Sequence, residues 1–175
     1  VLMAIGMLLG ALIAINVILT MFVPVHDVEV EAQPQCATSS VMILMAQSVP
    51  SATQIPCVAS LPAGWDFGQM KVNNQRGSFW LASDLGGHEA LTVTLQPAND
   101  CSVEGATAVP SDEPGIERFE RPERLPPNLL TTRYYLFEGG CVTYRFAFDE
   151  DAEASLMLAI DGAVGFMPRT DLIAE

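Results

Sequence analysis

The first 25 residues, Val1 to Val25, read VLMAIGMLLGALIAINVILTMFVPV and carry no charged side chain; 20 of them are hydrophobic. A helix rises about 1.5 Å per residue, so some 22 residues reach roughly 33 Å, enough to cross a hydrocarbon core of about 30 Å. Inside lipid every backbone group must bond within its own segment, which makes such a stretch helical. The run therefore predicts a transmembrane anchor over 1–25, with Asn16 and Thr20 as its polar side chains and Pro24 at its exit. A cleavable signal would have a shorter apolar region and a small-x-small site. Here the run is longer, and no Ala-x-Ala follows it. Gly6, Gly10 and Ala14 recur every four residues, a spacing that lets two helix backbones approach closely. They are the candidate helix–helix contact, for self-association or for docking on a partner membrane protein.

The charges all fall beyond this run. The chain has 8 basic and 21 acidic residues, a net charge of −13, on a mean hydropathy of +0.30. The positive hydropathy belongs largely to the first 25 residues and the acidity to the other 150, which are one domain by size. An acidic domain does not grip nucleic-acid phosphates. The first basic residue after the run is Lys71, preceded by Asp27, Glu29, Glu31 and Asp66. No basic flank holds this side in the cytoplasm, so residues 26–175 are expected outside it, on a single-pass protein of the cell membrane whose first partner is the bilayer.

Cys36, Cys57, Cys101 and Cys141 form an even set separated by 20, 43 and 39 intervening residues. A zinc site needs close pairs, so two disulfides are the expectation, in keeping with an exported domain. Three pairings are open; proximity favours Cys36–Cys57 and Cys101–Cys141.

Residues 26–35, HDVEVEAQPQ, read as an acidic connector, and 36–175 as the extracytoplasmic domain. Ser39 or Thr38 caps a helix that Pro50 ends, and a Pro-punctuated loop runs on to Cys57. Strands are expected at Phe67–Val72, Ser78–Ser83 and Ala90–Pro97. In the last, Leu91, Val93 and Leu95 alternate with Thr92 and Thr94. Residues 98–130 are irregular, with a short edge strand through Ile116 to Phe119. Two aromatic strands follow, Thr131–Glu138 and Cys141–Phe148, joined at Gly139-Gly140. Tyr134, Leu136, Tyr144, Phe146 and Phe148 are the expected core residues there. A helix is expected at Ala152–Ile160 with acids at its positive end, and Thr170 or Asp171 caps another. This adds up to an α+β domain, an antiparallel sheet of about five strands with one or two packed helices.

No catalytic set emerges. The phosphate loop, dinucleotide fingerprint, nucleophile elbow and His-Glu-x-x-His motif are all missing, and His26 and His88 stand alone. No cofactor or metal is called for. The methionines near Met42 and Met45 read as core filler rather than copper ligands. An envelope hydrolase with an unfamiliar carboxylate site remains an alternative, since 21 acids make close pairs inevitable. Two features suit contact with a partner instead. One is Trp65 with Trp80, a residue type common at binding surfaces. The other is ERFERPER, where Arg118, Arg121 and Arg124 alternate with acids as an ion-pair strip.

The order of the segments, an apolar run, then CATSSVMILMAQSVPSATQIPCVASLPAGW, then YYLFEGGCVTYRFAF, resembles a group of uncharacterised single-pass membrane proteins of actinobacteria. The resemblance covers most of 36–170. It implies a cell-envelope setting and brings no assigned activity or functional residues. The leading expectation is a membrane-anchored, non-enzymatic binding or accessory module.

Overall fold

The computed structural model describes residues 27–150 and 152–173. The expected anchor with Gly6, Gly10 and Ala14, and also His26, lie outside them. Among the described residues no helix is long and apolar enough to cross a membrane.

The domain is mostly β, which corrects the expected α+β sheet of about five strands. Ten strands are present among the described residues: β1 (Val28–Val30), β2 (Gln54–Val58), β3 (Trp65–Asn73), β4 (Arg76–Ser83), β5 (Gly87–Pro97), β6 (Thr107–Val109), β7 (Glu117–Arg124), β8 (Leu130–Phe137), β9 (Gly140–Ala147) and β10 (Val164–Pro168). The helices are short: α1 (Ser40–Ser48), α2 (Leu156–Asp161) and α3 (Arg169–Ile173). Eight strands form one antiparallel sheet in the order β1-β3-β4-β5-β9-β8-β7-β6, and β2 pairs with β10 in a separate ribbon.

The strands that escaped the sequence reading lack an ordinary signal. β1 and β6 have three residues each and gain their strand character from a neighbour. β2 contains Pro56, which has no N–H to give a ladder. A two-stranded ribbon tolerates this where a central strand would not.

One face of the large sheet is buried. Phe79 and Leu81 of β4, Leu91, Val93 and Leu95 of β5, and Val142, Tyr144 and Phe146 of β9 are almost fully enclosed. The alternation in β5 is as the sequence predicts. In β8 the phase is different: Arg133, Tyr135 and Phe137 share this side, in register with Tyr144, Val142 and Gly140. Tyr134 and Leu136 are on the other side. The cover consists of α1, the β2–β10 ribbon and the α2 turn. Helix α1 starts where Ser39 accepts a hydrogen bond from the Met42 N–H at 3.3 Å. It seats Met45 against Gly77 of β4, where a Cβ would come within 2.2 Å of the sulfur. At its other end the Arg169 guanidinium donates to the Ala46 carbonyl at 2.5 Å, meeting one of the carbonyls a helix leaves open. From β10, Phe166 reaches Tyr135, Phe137 and Tyr144 with ring centroids 5.2, 6.1 and 6.4 Å away.

Two disulfides are formed, Cys36–Cys57 and Cys101–Cys141, the pairing that proximity favoured. They fit an oxidising, extracytoplasmic setting. The first fixes the start of the cover to β2. The second holds the segment after β5 against β9.

The cover also grips the β8–β9 turn. Ser51 and Thr53 hydroxyls donate to the Gly139 and Glu138 carbonyls at 2.6 and 2.8 Å. Gly139 has φ of +73°, and a Cβ there would lie 1.8 Å from the Ser51 carbonyl oxygen. Gly139→Ala should therefore cost more than about 1 kcal/mol through strain and the lost grip. Removing Cys101 and Cys141 together should cost about 3–4 kcal/mol through loop entropy. Urea unfolding of each variant against the parent checks both values.

Candidate functional site

The second face of the large sheet is where side chains meet solvent, and strand register assembles them into rows. Lys71, Ser78, Thr94, Thr143, Tyr134 and Phe119 align in one row. Trp80, Thr92, Arg145, Thr132 and Arg121 align in the next. The segment 98–106 returns along part of this side on its way to β6. The Cys101–Cys141 bridge holds it at one point, and at another the Arg121 guanidinium donates to the Glu104 carbonyl at 3.2 Å. Thr132 and Tyr134 are buried as a result. Arg121 sits 5.3 Å from the Tyr134 ring centroid. Beside this strap an accessible patch remains, made of Lys71, Ser78, Trp80, Thr92, Thr94 and the exposed Arg145.

Trp80 is half-buried for a definite reason. Phe67 pairs with Leu81 and Met70 with Phe79, so Gly68 and Gln69 together oppose Trp80 in a β-bulge. The indole lies across Gly68, where a Cβ would be 2.2 Å from its Nε1. That nitrogen is buried with no hydrogen-bond partner among the described residues. The Lys71 ammonium is 5.6 Å from the ring centroid, a cation–π contact, and is also 3.2 Å from Glu29. A shallow groove beside the indole is lined by Glu31, Gly68, Gln69, Trp80 and His88.

The proposed contact residues are thus divided between two sides. Trp80 and Arg121 belong to the solvent side. Trp65 faces the core, 5% exposed, with its ring 6.5 Å from Phe148. Arg118 also faces the covered side, while Arg124 is exposed at the end of β7. A strand, unlike an irregular strip, sends alternate side chains to opposite faces. Lys71 and Arg145 were missed as site residues. The alternation of Tyr144 and Phe146 inward could have marked Arg145 as pointing out.

On the covered side a charged cluster joins β7, β8 and α2. Arg133, 3% exposed, lies 5.2 Å from the Phe146 ring centroid and meets two carboxylates. Its Nε is 2.6 Å from Glu120 of β7, and its Nη1 donates to Asp161 of α2. Arg118 reaches the same Glu120 oxygen at 2.5 Å. Burial pushes the Glu120 carboxyl up. The hydrogen bond from Arg118 and the charges of Arg133 and Arg118 outweigh it, so the pKa falls below the ordinary value. This carboxylate is built to stay ionised. Among the described residues no group of three or more His, Cys, Asp or Glu side chains is arranged to hold a metal ion.

No protein-family model, curated protein or solved structure matches this chain.

The Glu120 shift has a direct consequence for stability. Its folded pKa lies below its unfolded value of about 4.5, so its contribution is fully present above pH 4.5. That contribution is lost as pH falls through the folded value. Glu120→Gln should therefore flatten the decline in stability below pH 4.5. Denaturant midpoints measured from pH 7 to pH 3 check this; a decline as steep as the parent's would contradict it. Asp161→Ala, which leaves Arg133 with one carboxylate, should cost about 2 kcal/mol at pH 7, less than a fully buried pair because Asp161 is one-third exposed.

Proposed function

We propose that this chain is a non-enzymatic binding or accessory module on the outer side of the cell membrane. It engages an envelope component or a membrane-complex partner through the patch around Trp80 and Arg145. The observation that carries this reading is the composition of that patch. A half-buried indole, two cations and a ladder of hydroxyls lie on one face of the sheet, in a chain with 21 acidic and 8 basic residues. Trp combines large apolar area with a polar edge, and Arg offers a planar fork for carboxylate or phosphate. Both types are enriched among residues that dominate binding energy. The bulge opposite Trp80 supports the reading further, because bulges commonly re-aim a side chain near a functional surface.

The acids lend support from another direction. A carboxylate-based hydrolase needs one carboxyl with a raised pKa to act as proton donor. Glu120 is shifted the opposite way, and both it and Asp161 are engaged by arginine. The uncharged run of 1–25, the resemblance to single-pass membrane proteins and the two disulfides favour the envelope setting.

Photo-crosslinking in intact native membranes tests the proposal. A photoreactive residue at Thr92 or Thr94 should give a discrete adduct, and one at Glu153 should not. Trp80→Ala should weaken the captured association by about 2 kcal/mol, roughly thirtyfold. Arg145→Glu should weaken it as well. Recovery of the monomer alone from the patch positions would overturn the assignment.

A further inference from the structure

The end of the large sheet where β4 turns into β5 carries apolar side chains that the core does not use. Ser83 is buried there, and its hydroxyl accepts from the Leu85 and Gly86 N–H groups at 3.3 and 3.1 Å. The Asp84 N–H donates to the Gly64 carbonyl at 2.9 Å, and the Asp149 N–H donates to the Gly86 carbonyl at 3.1 Å. The turn is pinned from both sides, and it presents Leu85 to water, 73% exposed. Turns favour Gly, Asn, Asp or Ser, so the leucine does not serve the backbone. Ala152 and Leu156, from the segment after β9, line a recess of about 390 Å³ together with Leu85. Leu158 of α2, two residues further on, is also exposed.

The rim of this recess is acidic, and that selects among occupants. Asp84 and Glu153 line it, and Asp149 and Glu150 adjoin it in the chain. Asp149 lies over the turn, where a Cβ on Gly87 would come within 2.5 Å of its carboxylate. All four are exposed, and none makes an ion pair among the described residues. A second copy meeting this surface symmetrically would bring the same acids face to face. An anionic lipid surface would be repelled. Position weighs against the bilayer as well. Val28, just beyond the uncharged run, pairs with Val72, whereas Trp65, Ser83 and Gly87 are in register at the opposite end of β3, β4 and β5. From Val72 back to Trp65 the strand spans roughly 20 Å.

We propose that this recess docks a cationic amphipathic segment of a partner protein. An apolar side chain of the segment sits between Leu85 and Leu156, and lysines or arginines on either side of it meet Asp84 and Glu153. Apolar contact supplies the hold. The rim supplies the choice of partner, because complementary charge speeds encounter and penalises wrong partners. The recess has room for an apolar side chain and the backbone that carries it. It shares no residue with the groove beside Trp80 and stands without that patch.

Fluorescence anisotropy on the full chain in phosphatidylcholine nanodiscs tests the proposal with three labelled peptides of equal length. One repeats Lys-Leu-Leu-Lys, the second has serine for leucine, and the third has glutamate for lysine. The leucine–lysine peptide should bind saturably, about tenfold more tightly than either of the others. Leu85→Asp, at an exposed position, keeps the attraction for cations and removes the apolar contact, and should lose about tenfold in affinity. Asp84→Asn with Glu153→Gln should lose severalfold, and high salt should shrink that loss. Equal binding of the leucine–lysine and serine–lysine peptides would show only general attraction to a chain of charge −13, and would overturn the recess. Unchanged affinity in Leu85→Asp would overturn it too. Self-association in sedimentation, or flotation with phosphatidylglycerol vesicles, that Leu85→Asp abolishes would assign the leucines to a second copy or to lipid and overturn the partner.

Discussion

A guanidinium enclosed on the covered face of a β-sheet has to be met by carboxylates or it will not be tolerated. Arg133 is such a group, and the way it is met links three parts of the chain. Glu120 comes from the neighbouring strand β7, and Asp161 comes from the short α2 turn. Taking an ion out of water costs several kcal/mol, which is recovered only with good geometry on every side. The cluster is therefore weak evidence for net stability and better evidence for specificity. It fixes where α2 docks, and α2 leads directly into β10. The ribbon strand then lays Phe166 on Tyr135, Phe137 and Tyr144.

The cover matters because of what it leaves uncovered. An antiparallel sheet commonly buries one face and presents the other to water. Here the cover meets the large sheet from one side only, drawn there by Gly77, by the Phe166 cluster and by the Ser51 and Thr53 grip on the β8–β9 turn. The strap of 98–106 occupies part of the opposite face. The patch around Trp80 is the remainder. Its shape is thus a by-product of where two loops had to travel, and its chemistry comes from strand alternation alone.

Strands β3, β4, β5 and β9 were legible because each carries period-two alternation, as Leu91, Val93 and Leu95 do between threonines in β5. Helix α1 was legible through its Ser39 cap. What escaped was context-dependent. Val28–Val30 and Thr107–Val109 are too short to carry a period, and Gln54–Val58 hides behind Pro56. The phase of β8 was misread because TTRYYLF offers apolar residues on both faces. Putting Arg133 inward looks costly until Asp161, 28 residues away, is seen to meet it. Such a partnership is long-range and leaves no local pattern. The strip of Arg118, Arg121 and Arg124 was visible as alternating charge, but its division between two faces follows from strand geometry that the flanking prolines disguised.

The eight basic residues of this chain show how a charge of −13 is made compatible with binding. Arg118 and Arg133 are committed to carboxylates in the cluster, and Arg169 to the carbonyl end of α1. By register, Lys71, Arg76, Arg121 and Arg145 belong to the solvent face of the sheet. Arg76 is held by Gln96 at 3.3 Å, while Arg121 is shared between Glu123 and the strap. Arg145 is the cation there that is exposed and makes no ion pair among the described residues. Self-repulsion among the acids opposes close approach by anionic surfaces from most directions. The penalty is smallest where the cations gather, beside Trp80.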